Sequence, residues 1–320
     1  MSKPVLFVTG LGKNLDRAEN IKALYESYTG DKVFLTTHEK DTYKEIKSGK
    51  YDLMVIDVFP TYSPGKAIMV WHAIQGGKFI GLGDRNTYYR AYHAPLMNRI
   101  ICAGTGAVEM WHKCTMVPES RIVPLGMPRT DRYIGKKKGD GGTPFADKRM
   151  YLFAPTFRGW NETRFPVIDW GYIDKELTDD EIMVVKSHPY HVPLNVPKEC
   201  RHVVEVSQFR TSANFLYDCD VVITDYSSII FDGYLLGKPA VLFEKNSGYV
   251  KTRGMYLKYP EQYCSRFAVN EHQMIQLART AKHLTRVETE CMNLVADKCD
   301  GHSCERINKL INEMNKTGAY

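Results

Sequence analysis

The chain has 320 residues, of which 43% are hydrophobic and 25% charged, and a formal net charge of +6. That length suits two domains of about 150 residues better than one core, and the composition excludes a disordered, collagen-like or low-complexity chain. Apolar runs such as Val221-Val222-Ile223 are a few residues long, far short of the ~20 that a bilayer-spanning helix needs.

The first apolar run, Val5-Leu6-Phe7-Val8, is too short for a signal-peptide core, and no small-residue cleavage site follows it. It reads as a buried strand, and a cytoplasmic location is expected. A turn with Gly10 and Gly12 leads into a helix over 16–27. Leu15 stands where a third glycine of GxGxxG belongs, and the GK[ST] of a P-loop is absent, so this is a tight strand–helix turn rather than a dinucleotide site. Strands follow over 32–36, 53–58, 66–71, 100–103 and 121–124, with a short helix over 42–47. Strands alternating with helices predict a parallel sheet covered on both faces.

The segment 136–144, KKKGDGGTP, is polar, glycine-rich and aperiodic, and reads as a linker. Beyond it the pattern restarts. Strands are expected over 149–154, 181–186, 202–205, 220–224 and 239–243, and helices over 231–236, 271–282 and 303–314. The fold class is therefore α/β: two doubly wound, Rossmann-like domains, 1–138 and 145–320, facing across a cleft. The closing helix is assigned to the second. In such sheets ligands bind beyond the carboxyl ends of the strands.

The eight cysteines contain no CxxC pair, and Cys299 and Cys304 with His302 between them match zinc spacings poorly. They read as free thiols in a reducing compartment, and no metal site is expected. The triple lysine 136–138 gives a local positive patch, for which nucleotide phosphates, anionic lipid or a solvated surface are the alternatives. No basic-aromatic RNA motif accompanies it, which argues against nucleic acid.

Several blocks sit at expected strand ends. Trp71-His72-Ala73 places a histidine, whose ordinary pKa suits general-base work, before the glycine-rich turn at Gly76-Gly77-Lys78. Leu125-Gly126-Met127-Pro128-Arg129-Thr130-Asp131 offers Arg129 to a phosphate or forms a structural crossover. In Phe153-Ala154-Pro155-Thr156-Phe157-Arg158, Thr156 and Arg158 would project at the cleft mouth, and an arginine fork suits phosphate. Lys186-Ser187-His188-Pro189 ends another strand, and His188 could face His72 across the cleft. In Thr224-Asp225-Tyr226-Ser227-Ser228 a buried strand runs into a helix that carries Asp232. Hydroxyls and free N–H groups at a helix start can cradle a pyrophosphate; ordinary N-capping is the alternative.

Taken together, WHA (71–73) with Lys78, LGMPRTD (125–131), FAPTFR (153–158), KSHP (186–189), TDYSSIIFDGYLLGKPAVLF (224–243) and DGHSCERI (300–307) resemble the CDP-glycerol glycerophosphotransferase family of teichoic-acid and capsule synthesis. The resemblance runs over about residues 66–312. It implies a GT-B fold and transfer of a polyol phosphate, glycerol phosphate foremost, from a CDP-polyol donor to an acceptor hydroxyl with release of CMP. It implies a glycan or polyol-phosphate acceptor, lipid-linked in some cases, and therefore a peripheral contact with anionic membrane. The family's two functional histidines fall on His72 and His188. Its donor contacts fall on Thr224, Asp225, Ser227, Ser228 and Asp232, with Thr156 and Arg158 beside them. Mg²⁺ could ride on the donor phosphates. The segment Tyr259-Pro260-Glu261-Gln262-Tyr263-Cys264-Ser265 lacks the Pro-Gly-Pro-like turn of the family at a place that lines the site. The alternative function is a UDP-sugar glycosyltransferase or epimerase on the same fold, with Glu244 as the carboxylate for ribose or sugar.

Overall fold

The structure, a computed structural model, describes residues 2–11, 18–39, 41–59, 62–75, 96–156, 167–187, 194–206, 212–245 and 255–316. The chain forms two units, Met1–Ile134 with Asn293–Tyr320, and Gly135–Met292.

The first unit carries β1 (Val5–Thr9), α1 (Glu19–Ser27), β2 (Lys32–Thr36), α2 (Thr42–Ile46), β3 (Leu53–Ile56), β4 (Lys66–Val70), β5 (Arg99–Cys102), α3 (Ala107–Thr115) and β6 (Ile122–Pro124). Its six-stranded sheet runs β2-β1-β3-β4-β5-β6 with every pairing parallel. Strands covered on both faces need apolar residues at every position, and the Val-Leu-Phe-Val and Leu-Met-Val-Ile runs of β1 and β3 supply them, all buried.

The second unit carries β7 (Arg149–Phe153), α4 (Trp170–Glu176), β8 (Glu181–Val185), β9 (Val203–Glu205), α5 (Ala213–Asp218), β10 (Val221–Thr224), α6 (Ile229–Leu235), β11 (Ala240–Phe243), β12 (Phe267–Ala268) and α7 (Glu271–Thr280). Its sheet order is β12-β11-β10-β7-β8-β9, again parallel throughout. The chain winds outward from β7 to one edge, then returns and winds from β10 to the other. The switch point therefore lies between β7 and β10. In the first sheet it lies between β1 and β3.

Two expectations about domain organisation give way. The segment 136–144 is no free linker. Gly139, Gly141 and Thr143 each donate a main-chain N–H to the Asp218 carboxylate at 2.9 Å. Lys138 bonds Asp220 at 2.6 Å. Asp218 is fully buried at the end of α5, so these bonds fold the glycine-rich stretch onto the second unit. A Cβ on Gly141 would stand 2.0 Å from the Asn214 carbonyl oxygen, which is why only glycine fits there.

The closing helix also changes sides. After α8 (Arg286–Ala296) the chain re-enters the first unit as α9 (Ser303–Lys316), rather than completing a domain over 145–320. Ile307 and Ile311, four apart on one face, join Val5, Phe7, Leu24 and Val55 in a single core. Asp131 caps the helix, accepting from the N–H groups of Ser303 at 3.0 Å and Cys304 at 2.7 Å. The LGMPRTD and DGHSCERI blocks thus meet each other.

Candidate active site

In the second unit the residues past β7 and β10 meet at the switch point. Asp225 is only 2% exposed. Its Oδ1 accepts from the N–H of Thr156 at 2.7 Å and from that of Tyr226 at 2.6 Å. Thr224 is fully buried, and its hydroxyl donates to the Ala154 carbonyl at 2.7 Å. It supports the turn from beneath, with its proton already committed, instead of presenting a donor at the surface as expected. Thr156 is buried, and among the described residues its hydroxyl meets no hydrogen-bond partner.

Ser227 and Ser228, half-buried, form the lip of this turn. The helix behind them, α6, has seven residues, and its first N–H groups are closed by bonds from Ile230 to the Ser227 carbonyl and from Phe231 to that of Ser228. What this turn offers a ligand is therefore the two serine hydroxyls more than a helix macrodipole. Asp232 is buried within α6.

Lys186 was not singled out from the sequence, yet the register brings it here. Val185, Phe153 and Ile223 pair across β8, β7 and β10, so the next residues, Lys186, Ala154 and Thr224, form a row along one face. The opposite face carries Val185, Phe153 and Ile223 into the core with Trp170 and Met274. Helix α6 lies on the Lys186 side, with Gly233 against Val222. Lys186 is 7% exposed, and burial lowers its pKa. Among the described residues no hydrogen bond or ion pair engages its ammonium.

On the other flank, the segment from Tyr259 lines the ends of β10 and β11. The Tyr259 ring lies 4.9 Å from that of buried Tyr226. Its phenol is pushed up by burial and then by the nearby charges of Glu244 and Asp225. Glu244 itself is buried just past β11. Two carboxylates and two phenols thus gather beside this turn, an arrangement that sequence order scatters over 225–259.

In the first unit His72 follows Trp71 directly past β4, and both are half-buried. The His72 ring lies 4.3 Å from that of Trp71, which is itself edge-on to Trp111 at 5.9 Å. Arg129 is 8% exposed and donates through Nη1 to the His72 carbonyl, so of the two readings of this block the structural crossover fits, with Arg129 facing inward. Asn20 of α1 donates to the Trp71 carbonyl at 2.7 Å and accepts from the Arg129 N–H at 2.9 Å. At the neighbouring switch point Asp57, fully buried, accepts from the Thr9 hydroxyl at 2.6 Å and the Gly10 N–H at 2.9 Å.

Arg158, His188 and Lys78 lie outside the described residues. Of the triple lysine, Lys138 is bonded to Asp220 and Lys136 sits over the Tyr217 ring. All eight cysteines are free thiols. Among the described residues no group of three or more His, Cys, Asp or Glu side chains converges to hold a metal ion, and no helix is long and apolar enough to cross a membrane.

Comparison with known proteins bears on these sites. The family model for CDP-glycerol:poly(glycerophosphate) glycerophosphotransferase matches residues 47–313. The chain is similar to the teichoic acid poly(ribitol-phosphate) polymerase of Bacillus spizizenii, with 27% identity over 80% of this chain and 45% of that protein. It is also similar to the teichoic acid glycerol-phosphate primase of Bacillus subtilis, with 25% identity over 70% of this chain and 62% of that one. The chain spans about half the length of the polymerases it matches, 45%, 58% and 49% for three of them. Among solved structures, the wall teichoic acid polymerase TagF superposes with a TM-score of 0.73 at 19% identity, covering 99% of this chain and 90% of that one. A TagF variant soaked with CDPG gives 0.73 at 18% identity, covering 98% of this chain and 89% of that one. MnaA of S. aureus with UDP gives 0.59 at 14% identity, covering 98% and 96%. The fold is of the GT-B class.

Proposed function

The chain belongs to the CDP-glycerol:poly(glycerophosphate) glycerophosphotransferase family, and we propose that it transfers a polyol phosphate, glycerol phosphate foremost, from a CDP-polyol to a hydroxyl of a teichoic-acid-like or capsule glycopolymer or its lipid-linked precursor, releasing CMP. The observation that carries this reading is the family match, whose span, residues 47–313, includes His72 and the 224–228 turn.

The acceptor oxygen attacks the β-phosphorus, the bond from that phosphorus to the CMP oxygen breaks, and CMP leaves. His72 takes the acceptor proton as general base. The turn at Ser227 and Ser228, supported by Thr156, Thr224 and Asp225, receives the pyrophosphate. Lys186 supplies a cation whose counter-charge is the donor itself; Arg158 and His188 act on the same phosphates. Fixed donors and cations aimed at a phosphoryl group are the main source of rate in such transfers. A divalent ion would be carried by the donor phosphates, and no step is assigned to it. A lipid-linked acceptor would bring the enzyme to an anionic membrane face, but the lysines at 136 and 138, already engaged, are poor candidates for that contact.

The test is thermal stabilisation of the pure protein by CDP-glycerol, CDP-ribitol, CDP, UDP and UDP-sugars far above a plausible Kd. A specific ligand then adds a few kcal/mol. Stabilisation by a CDP-polyol is expected, and it names the donor. Stabilisation by UDP-sugars alone overturns the reading in favour of a sugar transferase or epimerase using Glu244.

A further inference from the structure

The β4 ladder ends at Val70, and His72 lies beyond the reach of sheet pairing. Two consecutive carbonyls, those of Trp71 and His72, therefore take their donors from outside the sheet. Both donors come from side chains of distant segments. Asn20 Nδ2 takes the Trp71 carbonyl at 2.7 Å, and Arg129 Nη1 takes that of His72. The two donors are themselves joined, Arg129 N–H to Asn20 Oδ1 at 2.9 Å. Asn20 is 2% exposed and Arg129 is nearly as buried.

We infer that Asn20 and Arg129 are positioning residues for His72, holding the two peptide groups that flank its Cα so that the imidazole is presented in one orientation. The inference rests on the reading of His72 as general base. Several features go beyond filling a core. Gripping the carbonyls on both sides of one Cα fixes the direction of the Cβ bond, and the Trp71 ring at 4.3 Å then limits the rotation that remains. A guanidinium stays charged at every working pH, so its hold does not vary as the imidazole gains or loses its proton.

The anchor extends outward. Arg129 lies on the 3-10 helix Pro128–Tyr133, whose Asp131 caps α9, and Asn20 lies in the first turn of α1, which packs on α9. The orientation of His72 therefore depends on a helix more than 230 residues further along the sequence, and misplacing a reacting group by about 1 Å can cost 10²-fold in rate.

The experiment compares wild type with N20D, R129K and R129M. N20D keeps the acceptor for the Arg129 N–H but loses the donor to Trp71. R129K keeps the charge, and R129M removes it. Turnover is followed as CMP release from CDP-glycerol, separating kcat from donor KM. In parallel, the His72 ring resonance is recorded in protein labelled with ¹³C-histidine and assigned by its loss in H72Q. We expect kcat to fall about 10- to 100-fold in N20D and R129M, donor KM to stay within about twofold, R129K to recover part of the loss, and the His72 resonance alone among the histidines to shift or broaden. A His72 resonance unmoved in N20D and R129M overturns the inference whatever the rates. If wild type releases no CMP while the resonance moves, the transfer reading fails and the positioning of His72 stands. Should R129M not fold, N20D and R129K decide on the same readouts.

Discussion

Thr156 and Asp225 meet across the point where the second sheet changes winding direction, the amide N–H of one donating to the carboxylate of the other at 2.7 Å. The relation recurs in the first unit, where Gly10 donates to Asp57 at 2.9 Å. In each sheet a buried aspartate just past one central strand holds the turn just past its neighbour. At a switch point the two connections leave in opposite directions, so a main-chain N–H there has no strand to pair with, and the carboxylate replaces it.

Removing that carboxylate is expected to open the turn proposed to receive the donor. D225A is expected to lose about 1–3 kcal/mol of stability through the stranded amides of Thr156 and Tyr226, while D225N, which keeps one acceptor oxygen, loses less. Urea midpoints measure the first effect. The thermal shift produced by CDP-glycerol measures the second consequence, and a full wild-type shift in D225A contradicts the cradle.

His72 is expected to act on rate and not on donor binding. H72A loses roughly 10²- to 10⁴-fold in kcat, as acid–base groups do, with the donor-induced thermal shift retained. Near-normal turnover in an H72A protein that still binds donor removes His72 from the mechanism.

Lys186 is expected to cost stability and to strengthen donor binding. Burial lowers its folded-state pKa, so between that value and the ordinary lysine value the unfolded chain holds more protons. Stability therefore rises with pH across that window, and at neutral pH the buried charge is a burden. K186M is expected to melt higher than wild type without ligand and to gain less from CDP-glycerol. A K186M protein that is less stable, or is stabilised as much by donor, counts against a phosphate role.

Asp57 has the opposite ionisation and a related cost. Burial pushes its carboxyl from 3.8 up to about 6, against the bonds from Thr9 and Gly10. The folded state keeps a proton that the unfolded chain has lost, so stability falls as pH rises between about 4 and 6, by about 3 kcal/mol in all. D57N keeps an acceptor for Gly10 and carries no charge. Its melting temperature is expected to exceed that of wild type at pH 7.5 and to change less between pH 4.5 and 7.5; equal pH profiles refute the assignment.

Gly126 is the pivot under the last helix. Its φ is +88°, and a Cβ would stand 2.2 Å from the Lys298 carbonyl oxygen. G126A is expected to lose at least about 1–3 kcal/mol from strain at that backbone angle alone, read as an earlier unfolding midpoint by circular dichroism.

Most strands were legible because buried parallel strands are apolar at nearly every position, and β2 at Lys32–Thr36 agrees with its sequence pattern to the residue. Helix α3 was missed although Met110, Trp111 and Cys114 carry helical spacing: it starts without a side-chain cap and stops at Met116 in the left-handed region, φ 61°, so the usual end signals are lacking. Helix α5 is six residues long and likewise uncapped. At the candidate site, the position of His72, Thr156 and Thr224 at or next to strand ends was legible in the sequence. What was hidden is which way they face. Arg129 reads in sequence as either a phosphate contact or part of a crossover and turns inward, and Lys186 looks like the flank of a histidine motif and is buried on the α6 side of the sheet. Burial and register decide both, and neither is local in sequence.

The return of α9 to the first unit has a consequence for the order of assembly. The second unit, Gly135–Met292, is contiguous and can close as soon as its last helix leaves the ribosome, whereas the first waits for Ile307 and Ile311 to reach a core begun at Val5 and Phe7. The earlier half of the chain is thus the later to finish. Until then its exposed core is the stretch of the nascent protein most in need of shielding from its neighbours.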